Sequence, residues 1–280
     1  MAKSKLVSKP VAMGSPLESH CRTMRVAVIT GSSSGIGRST AIAFASQGYA
    51  VVVHAKSNLS GMNEVARQIR MQGGEVLCVA ADISDQQACH SLVQAALSWR
   101  GQVDVWVNTA GADILTTEFR NWNFEKKLQL LWEVDVCGTI LLSRQIGQYM
   151  IRQTGDVKPS IINIGWDQVT FGMEGESGQL FCATKSAVMS FTLSLAQSLA
   201  PCVRVNCVAP GWIQTAWGNI AEDKWDARAR RESLLNRWGT PDEVAQTICW
   251  LASEGAAFIN GQIIPVNGGR RHGGPQHAHD

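Results

Sequence analysis

The stretch Thr30-Gly31-Ser32-Ser33-Ser34-Gly35-Ile36-Gly37 follows a short β-branched run and precedes a helical segment. Glycines at this spacing permit a tight turn and a close approach of the backbone to a ligand. Free N–H groups at the start of the next helix, together with the helix dipole, favour a bound diphosphate. A glycine-rich turn between a strand and a helix therefore predicts a dinucleotide-binding site.

The same alternation of β-branched runs and helical segments recurs from Arg25 to Gly269. Strands are expected at 26–30, 50–55, 76–81, 103–108, 160–165, 203–209 and 263–266. Helices are expected near 36–48, 61–72, 85–98, 123–153, 179–199 and 241–253, with Ser60, Asp85 and Thr240 followed by Pro241 at or near their starts. This alternation predicts an α/β fold: a Rossmann-type, doubly wound, seven-stranded parallel sheet in a single domain.

The two ends of the chain lack this pattern. Residues 1–24 mix lysines with prolines and glycines, and residues 270–280 carry His272, His277 and His279 among glycines and a proline. Such compositions cannot pack, so both segments are expected to be disordered tails around a domain at 25–269. We expect no metal site in the histidines.

Composition argues against several classes of function. A hydrophobic content of 45% supports a real core, and a net charge of +2 leaves no broad basic surface for nucleic acid. No apolar run reaches the roughly 18 residues of a membrane span, so no membrane partner is expected. The eight cysteines are scattered without a C-x-x-C pair, which is typical of a reduced, cytoplasmic protein.

Further motifs follow the later strands in order. They are Asp82-Ile83, Asn108-Thr109-Ala110-Gly111, Pro210-Gly211-Trp212-Ile213-Gln214-Thr215, Arg237-Trp238-Gly239-Thr240-Pro241, Asn260-Gly261-Gln262 and Asn267-Gly268-Gly269. With the G-x-x-x-G-x-G spacing of the first turn, they resemble the short-chain dehydrogenase/reductase family over about residues 25 to 269. The chain is most similar overall to the 3-oxoacyl-[acyl-carrier-protein] reductase branch of that family.

The resemblance implies a nicotinamide dinucleotide as cofactor. The residues that it assigns to cofactor binding are Gly31, Ser33, Gly35, Ile36, Gly37, Lys56, Ser57, Asp82, Ile83, Asn108, Ala110, Gly111, Ile164, Lys185, Pro210, Gly211, Ile213 and Thr215. The second strand ends in His54-Ala55-Lys56-Ser57-Asn58, without the carboxylate that would bind a ribose 2′-hydroxyl and repel a 2′-phosphate. Lys56 and Ser57 therefore favour NADP(H) over NAD(H), although an ordinary exposed loop lysine would fit the same pattern.

The catalytic pattern of the family is altered. In the family a tyrosine and a lysine four residues later act together with a serine and an asparagine. Here the matching segment is Phe181-Cys182-Ala183-Thr184-Lys185, so only the lysine is retained. The serine position falls on Trp166 when counted from the fifth strand and on Gln168 when counted back from Phe181, and the asparagine position is Asp135. Neither tyrosine of the chain has a lysine four residues later.

A conventional mechanism without the tyrosine is expected to be slow, because general acid catalysis contributes roughly 10²- to 10⁴-fold. By position Asp167 is the best substitute acid, and burial beside Trp166 and Phe181 would raise its pKa. Asp135 could instead form a structural ion pair with Lys185. The resemblance gives Lys185 a second role, a hydrogen bond to the nicotinamide ribose.

Two loop regions are expected beside the substrate. Trp166, Trp212 and Trp217 fall at the carboxyl ends of strands and predict an aromatic-lined pocket. The segment 212–237 breaks the strand and helix rhythm, as a mobile flap or a packed surface excursion would. Glu174 and Glu176 lie in a glycine-rich loop, either as receptors for a basic substrate or as solvated side chains.

Two functions fit this sequence. The first is an NADP(H)-dependent oxidoreductase that reduces a small-molecule carbonyl, 3-oxoacyl-like, to an alcohol with a non-standard proton donor. The second is a catalytically silent dinucleotide-binding protein that senses the cofactor or pairs with an active relative. The resemblance also implies a homo-oligomer, a dimer or tetramer, formed through the helices near 123–153 and 179–199.

Overall fold

One parallel sheet organises the chain. The computed structural model describes residues 24–155 and 157–271, so the histidines of the expected C-terminal tail lie outside the described residues. The strands are β1 (Val26–Thr30), β2 (Ala50–Ala55), β3 (Val76–Ala80), β4 (Val105–Asn108), β5 (Ser160–Ile164), β6 (Arg204–Pro210) and β7 (Ile263–Val266). Their order is β3-β2-β1-β4-β5-β6-β7. The predicted doubly wound sheet in a single domain is confirmed.

Helices cover both faces of the sheet. They are α1 (Gly35–Ser46), α2 (Leu59–Met71), α3 (Gln86–Arg100), α4 (Phe124–Leu131), α5 (Thr139–Met150), α6 (Glu176–Leu199), α7 (Asp223–Glu232) and α8 (Pro241–Ala252). Alternate residues of β1 point to opposite faces, so Ala27 and Ile29 pack with α1, α2 and α8, while Val26 and Val28 pack with α3, α5 and α6. No helix within the described ranges is long and apolar enough to span a membrane.

Local signals explain where several helices begin. Asp85 accepts a bond from the N–H of Ala88 at 2.7 Å, and Thr240 forms a capping box with Glu243. Ser60 lies in the first turn of α2, near the start of the helix as predicted, and Asn58 is the residue that caps it. The single helix expected near 123–153 is interrupted by a π-helical turn at Trp132–Gly138.

The folded domain extends past the predicted boundary at residue 269. Arg270 pairs with Ser233 in an isolated β-bridge, and its guanidinium donates to the side chain of Gln168. The N–H of Arg271 donates to the carbonyl of Glu232 at 2.9 Å. Arg270 and Arg271, which were expected to belong to a tail, are therefore bonded to the domain.

Candidate active site

A cleft of about 880 Å³ runs along the carboxyl ends of the strands. The chain winds outward from β1 in one direction and from β4 in the other, which opens a crevice between these neighbouring strands. All the residues predicted to bind cofactor or to occupy catalytic positions line this cleft, with the exceptions of Asn108, Asp167 and Gln168.

The glycine turn lies at one end of the cleft and has no room for side chains. Gly31 has a φ of 61°, and a Cβ there would approach the Cα of Ala110 to 2.6 Å. A Cβ on Gly37 would collide with the carbonyl oxygen of Gly31. The side chain of Ser34 does not cap α1, so the first N–H groups of this helix are left for a ligand. These features fit the diphosphate of a dinucleotide.

His54 fixes this turn from the end of β2. Its buried ring accepts a bond from the N–H of Gly31 through Nδ1 at 3.0 Å and contacts the carbonyl of Ala81 through Nε2 at 3.0 Å. Because Nδ1 accepts, we place the ring proton on Nε2. Burial lowers the pKa of His54. No role for His54 was predicted from the sequence, although a polar residue near the end of an otherwise apolar strand was the available signal.

His54 gives the fold a specific pH dependence. Since its pKa is lowered in the folded protein, the unfolded chain takes up the proton first as the pH falls below about 6.5. The contribution of neutral His54 to the stability of the fold is therefore complete above this pH and is lost progressively below it. Urea denaturation measures the free energy of unfolding at about pH 7.5 and at about pH 5.5. The difference between these two free energies is expected to be smaller in His54→Gln than in the unmodified protein. His90→Gln, on the exposed face of α3, is the matched control, and an equal change in both variants would contradict the assignment.

The adenine end of the predicted site contains an ion pair. The Nζ of Lys56 lies 2.6 Å from the Oδ2 of Asp82, and both side chains remain partly exposed. Burial alone would raise the pKa of Asp82, but its bonds with Lys56 and Ser84 outweigh that effect and lower it. Lys56 therefore lies at the cleft wall with its ammonium group on Asp82, while much of its side chain stays exposed.

The opposite end of the cleft contains a second ion pair. Asp135 sits in the π-helical turn, is buried, and accepts a bond from the N–H of Ala112 at 2.8 Å. Its Oδ2 lies 2.9 Å from the Nζ of Lys185 on α6, so the ion pair expected between them is present. A π-helical turn changes the rotation of a helix by a fraction of a turn and is frequent at functional sites. It brings Asp135 to the cleft wall.

Two aromatic rings stand where the family has hydroxyls. Phe181 precedes Lys185 by one turn of α6, and its ring lies 5.9 Å from that of Trp166 in an edge contact. Trp166 lines the cleft, whereas Gln168 is buried and bonded to Glu232 and Arg270. Of the two residues that could occupy the serine position, Trp166 is therefore the one that faces the cleft.

Asp167 turns away from the cleft. Its Oδ2 accepts a bond from the amide of Asn267 at 3.0 Å. Burial raises the pKa of Asp167, as the sequence suggested, and the bond from Asn267 opposes that shift. Because the carboxyl group does not line the cleft, its placement argues against the predicted role as replacement acid.

Asn108 also lies beneath the cleft rather than in it. Its amide donates to Ser143 and to Asn163, each at 2.8 Å, and its carbonyl accepts from the indole of Trp106 at 2.8 Å. The side chain is buried and its bonding groups are engaged. The side chain of Asn108 therefore supports the crevice from below, and a contact of this residue with the cofactor stays a prediction.

The segment 212–237 is packed and contains a helix that the sequence analysis did not predict, α7. Trp212, Trp217, Trp225 and Trp238 form a cluster with neighbouring ring centroids 5.6 to 6.1 Å apart, and all four line the cleft. We call these four residues the tryptophan cluster. Trp225 was not singled out from the sequence, and Trp238 was named there only as part of the motif at residues 237–241.

Both glutamates of the glycine-rich loop are paired within the protein. Glu174 binds the guanidinium of Arg228 on α7, and Glu176 lies 2.7 Å from the buried Lys127 of α4. These contacts fasten the loop on two sides. Both carboxylates also stay exposed to solvent, as the second alternative expected, and neither lines the cleft.

Comparison with known proteins gives one consistent result. Residues 31–271 match the family model described as enoyl-(acyl carrier protein) reductase. The chain is 34% identical to a 3-oxoacyl-[acyl-carrier-protein] reductase of Synechocystis, over 88% of this chain and 97% of that protein. These values are sufficient to show the family.

Solved structures agree with this result. A short-chain dehydrogenase of Burkholderia cenocepacia in complex with NADP is 25% identical, with a TM-score of 0.78 over 88% of this chain and 97% of that one. A 7α-hydroxysteroid dehydrogenase complexed with NADH and a 7-oxo bile acid is 27% identical, with a TM-score of 0.79 over 88% and 94%. The chain belongs to the short-chain dehydrogenase/reductase family of NAD(P)-dependent oxidoreductases.

Proposed function

We propose that this protein reduces a carbonyl group of a small molecule to an alcohol with NADPH. The observation that carries the proposal is a single cleft that joins the glycine turn to the ion pair of Lys185 and Asp135. Bound NADPH would supply the hydride. The glycine turn and the uncapped start of α1 bind the diphosphate, and Ile164, Pro210 and Thr215 line the same cleft.

We assign the proton donor to Lys185. Its ammonium group lies on the cleft wall one helical turn from Phe181, at the level where the family tyrosine would be. It can donate a hydrogen bond to the carbonyl oxygen and stabilise negative charge that develops there. Asp135 orients this ammonium group and balances its charge. Trp166 and Phe181 exclude water from the same wall.

The direct test is NADPH consumption by the purified protein with a panel of 3-oxoacyl thioesters and small ketones. We expect slow but measurable turnover, and alcohol formation in equal amount to the NADPH consumed. Fluorescence titration with NADPH provides the control for cofactor binding. If the protein binds NADPH but reduces none of these compounds, the silent dinucleotide-binding function is favoured instead. That function does not need the catalytic hydroxyls that Phe181 and Trp166 replace.

We assign the preference for NADPH to Lys56. Removing its charge in Lys56→Ala would also leave Asp82 free to repel a 2′-phosphate. The variant is expected to weaken NADPH binding about tenfold and NADH binding much less, since a hydrogen bond to a charged group contributes about 1.5 to 3 kcal/mol. Calorimetric titration of both cofactors measures this, with Lys126→Ala on α4 as the control. An equal loss for both cofactors would contradict the assignment.

Homo-oligomerisation and a cytoplasmic location stay predictions. The helices expected to form a subunit interface are α4, α5 and α6. Size-exclusion chromatography with light scattering would measure the oligomeric state directly.

A further inference from the structure

We infer that the carbonyl compound reduced by this protein is a flat, uncharged aromatic ketone rather than a flexible acyl chain. The inference rests on the proposed function, since it names the substrate class of the same cleft. Three observations carry it. They are an aromatic wall on the segment 212–238, a second aromatic wall just after β5 and on α6, and the absence of an unpaired cation among the described residues that line the cleft.

The first wall is the tryptophan cluster, and hydrogen bonds fix its rings. The indole N–H of Trp212 donates to Glu232 at 2.9 Å, and that of Trp238 donates to Asp226 at 2.8 Å. Trp217 stacks on Trp212 with an interplanar angle of 27° and is only partly buried. Ordinary core packing would bury all four indoles, whereas here only Trp238 is buried and the other three are partly exposed along the cleft. The cluster therefore offers pre-oriented ring surfaces to a ligand.

The second wall is the edge contact between Trp166 and Phe181. It lines the same cleft as the tryptophan cluster and lies next to Lys185 along α6. Aromatic rings prefer offset-stacked or edge-to-face contacts with other rings, and each such pair contributes beyond the area that it buries. A planar ring held between the two walls would present an attached carbonyl to Lys185.

The charges around the cleft favour an uncharged substrate. Arg228 lies against Trp212 and Trp225, but Glu174 and Glu232 both neutralise it. Lys185 is paired with Asp135. At the adenine end Lys56 is paired with Asp82. An acidic substrate would therefore meet no free positive charge on the described cleft walls.

Two probes of matched shape test this inference: methyl naphthyl ketone and its saturated counterpart, methyl decalyl ketone. With NADPH, kcat/KM for the aromatic ketone is expected to exceed that for the saturated ketone by about tenfold, the effect of one or two aromatic pairs. Calorimetric binding to the protein saturated with non-reacting NADP⁺ is expected to show a similar ratio of affinities. Equal affinities and equal kcat/KM values would overturn the inference.

Variants locate the effect in the tryptophan cluster. Trp217→Leu is expected to remove the preference for the aromatic ketone, and Trp217→Phe to retain most of it, because only the second keeps a ring. Trp250→Leu changes an exposed tryptophan of α8 outside the cleft and should leave the preference intact. A preference that persists in Trp217→Leu would overturn the assignment to the cluster.

The two readouts separate failure of the inference from failure of the proposed function. Selective binding of the aromatic ketone without any turnover would support an aromatic-binding cleft and reject ketone reduction. Turnover of both ketones without selectivity would support ketone reduction and reject the inference.

Discussion

Lys185→Met is expected to lower kcat for NADPH-dependent ketone reduction by roughly 10²- to 10⁴-fold, the usual contribution of a general acid. The expected loss is large because the family tyrosine and serine are replaced by Phe181 and Trp166, which leaves the lysine ammonium as the donor that we assign at this end of the cleft. Steady-state kinetics at saturating NADPH measure the change. Turnover close to that of the unmodified protein would place the donor elsewhere.

A loss of activity could also arise from unfolding, so this variant needs two controls. Removing one partner of a buried ion pair leaves an uncompensated charge and costs about 3 to 5 kcal/mol, and Asp135 is buried. The double variant Lys185→Met/Asp135→Asn removes both charges and should recover much of this stability without recovering turnover.

Asp135→Asn alone is the second control. This variant restores the asparagine that the family has at position 135. Its amide oxygen can still accept the bond from Ala112. We therefore expect this variant to keep kcat within about tenfold of the unmodified protein while Lys185 is intact, as befits a residue that positions the donor. If Asp167→Asn rather than Lys185→Met abolished turnover, the proton donor would be Asp167.

The sheet could be predicted from the sequence because parallel strands buried on both faces are continuous apolar runs. Val51, Val52 and Val53 of β2 illustrate this pattern, and all three are fully buried. The glycine turn could also be predicted from the sequence, because Gly31 and Gly37 occupy positions where any side chain would collide with the backbone. In both cases backbone sterics and burial dictate the residue type, and a single sequence displays them.

The direction of individual side chains could not be predicted in the same way. Trp166 and Asp167 are adjacent, yet one lines the cleft and the other bonds Asn267, which is distant in sequence. A short 3₁₀ helix that begins at Asp167 sets these directions, and the spacing of residues in the sequence does not predict this helix. The π-helical turn that holds Asp135 was missed for the same reason, since the segment 123–153 has the periodicity of one continuous helix.

Tertiary partners also decided the roles of polar residues. Asn108 matches a family motif, but Ser143, Asn163 and Trp106 engage its amide below the cleft. Residues paired across such distances in the chain can be recognised only when the fold places them side by side. This is why the cofactor residues near the glycine turn were easier to identify than the groups around the substrate.

Phe181→Tyr is expected to raise kcat for ketone reduction by roughly 10²-fold, because it restores a phenolic donor one helical turn from the ammonium group of Lys185. That neighbouring positive charge favours ionisation of the phenol, so the gain should appear together with a new pH dependence of kcat on the alkaline side. The variant adds one oxygen to a ring that already lines the cleft, and NADPH affinity is expected to stay the same. Steady-state kinetics over a range of pH test both statements.

The fully exposed Phe258 provides the matched control, since Phe258→Tyr adds the same hydroxyl away from the cleft and should change nothing. If Phe181→Tyr gives no gain while NADPH still binds, the edge contact with Trp166 is the physical obstacle to examine next. The double variant Phe181→Tyr/Trp166→Ser removes that ring and supplies the second hydroxyl of the family pattern. A folded double variant that binds NADPH and still fails to reduce ketones would exclude the proposed reductase function, because every catalytic group of the family except the asparagine would then be in place, with Asp135 at that position.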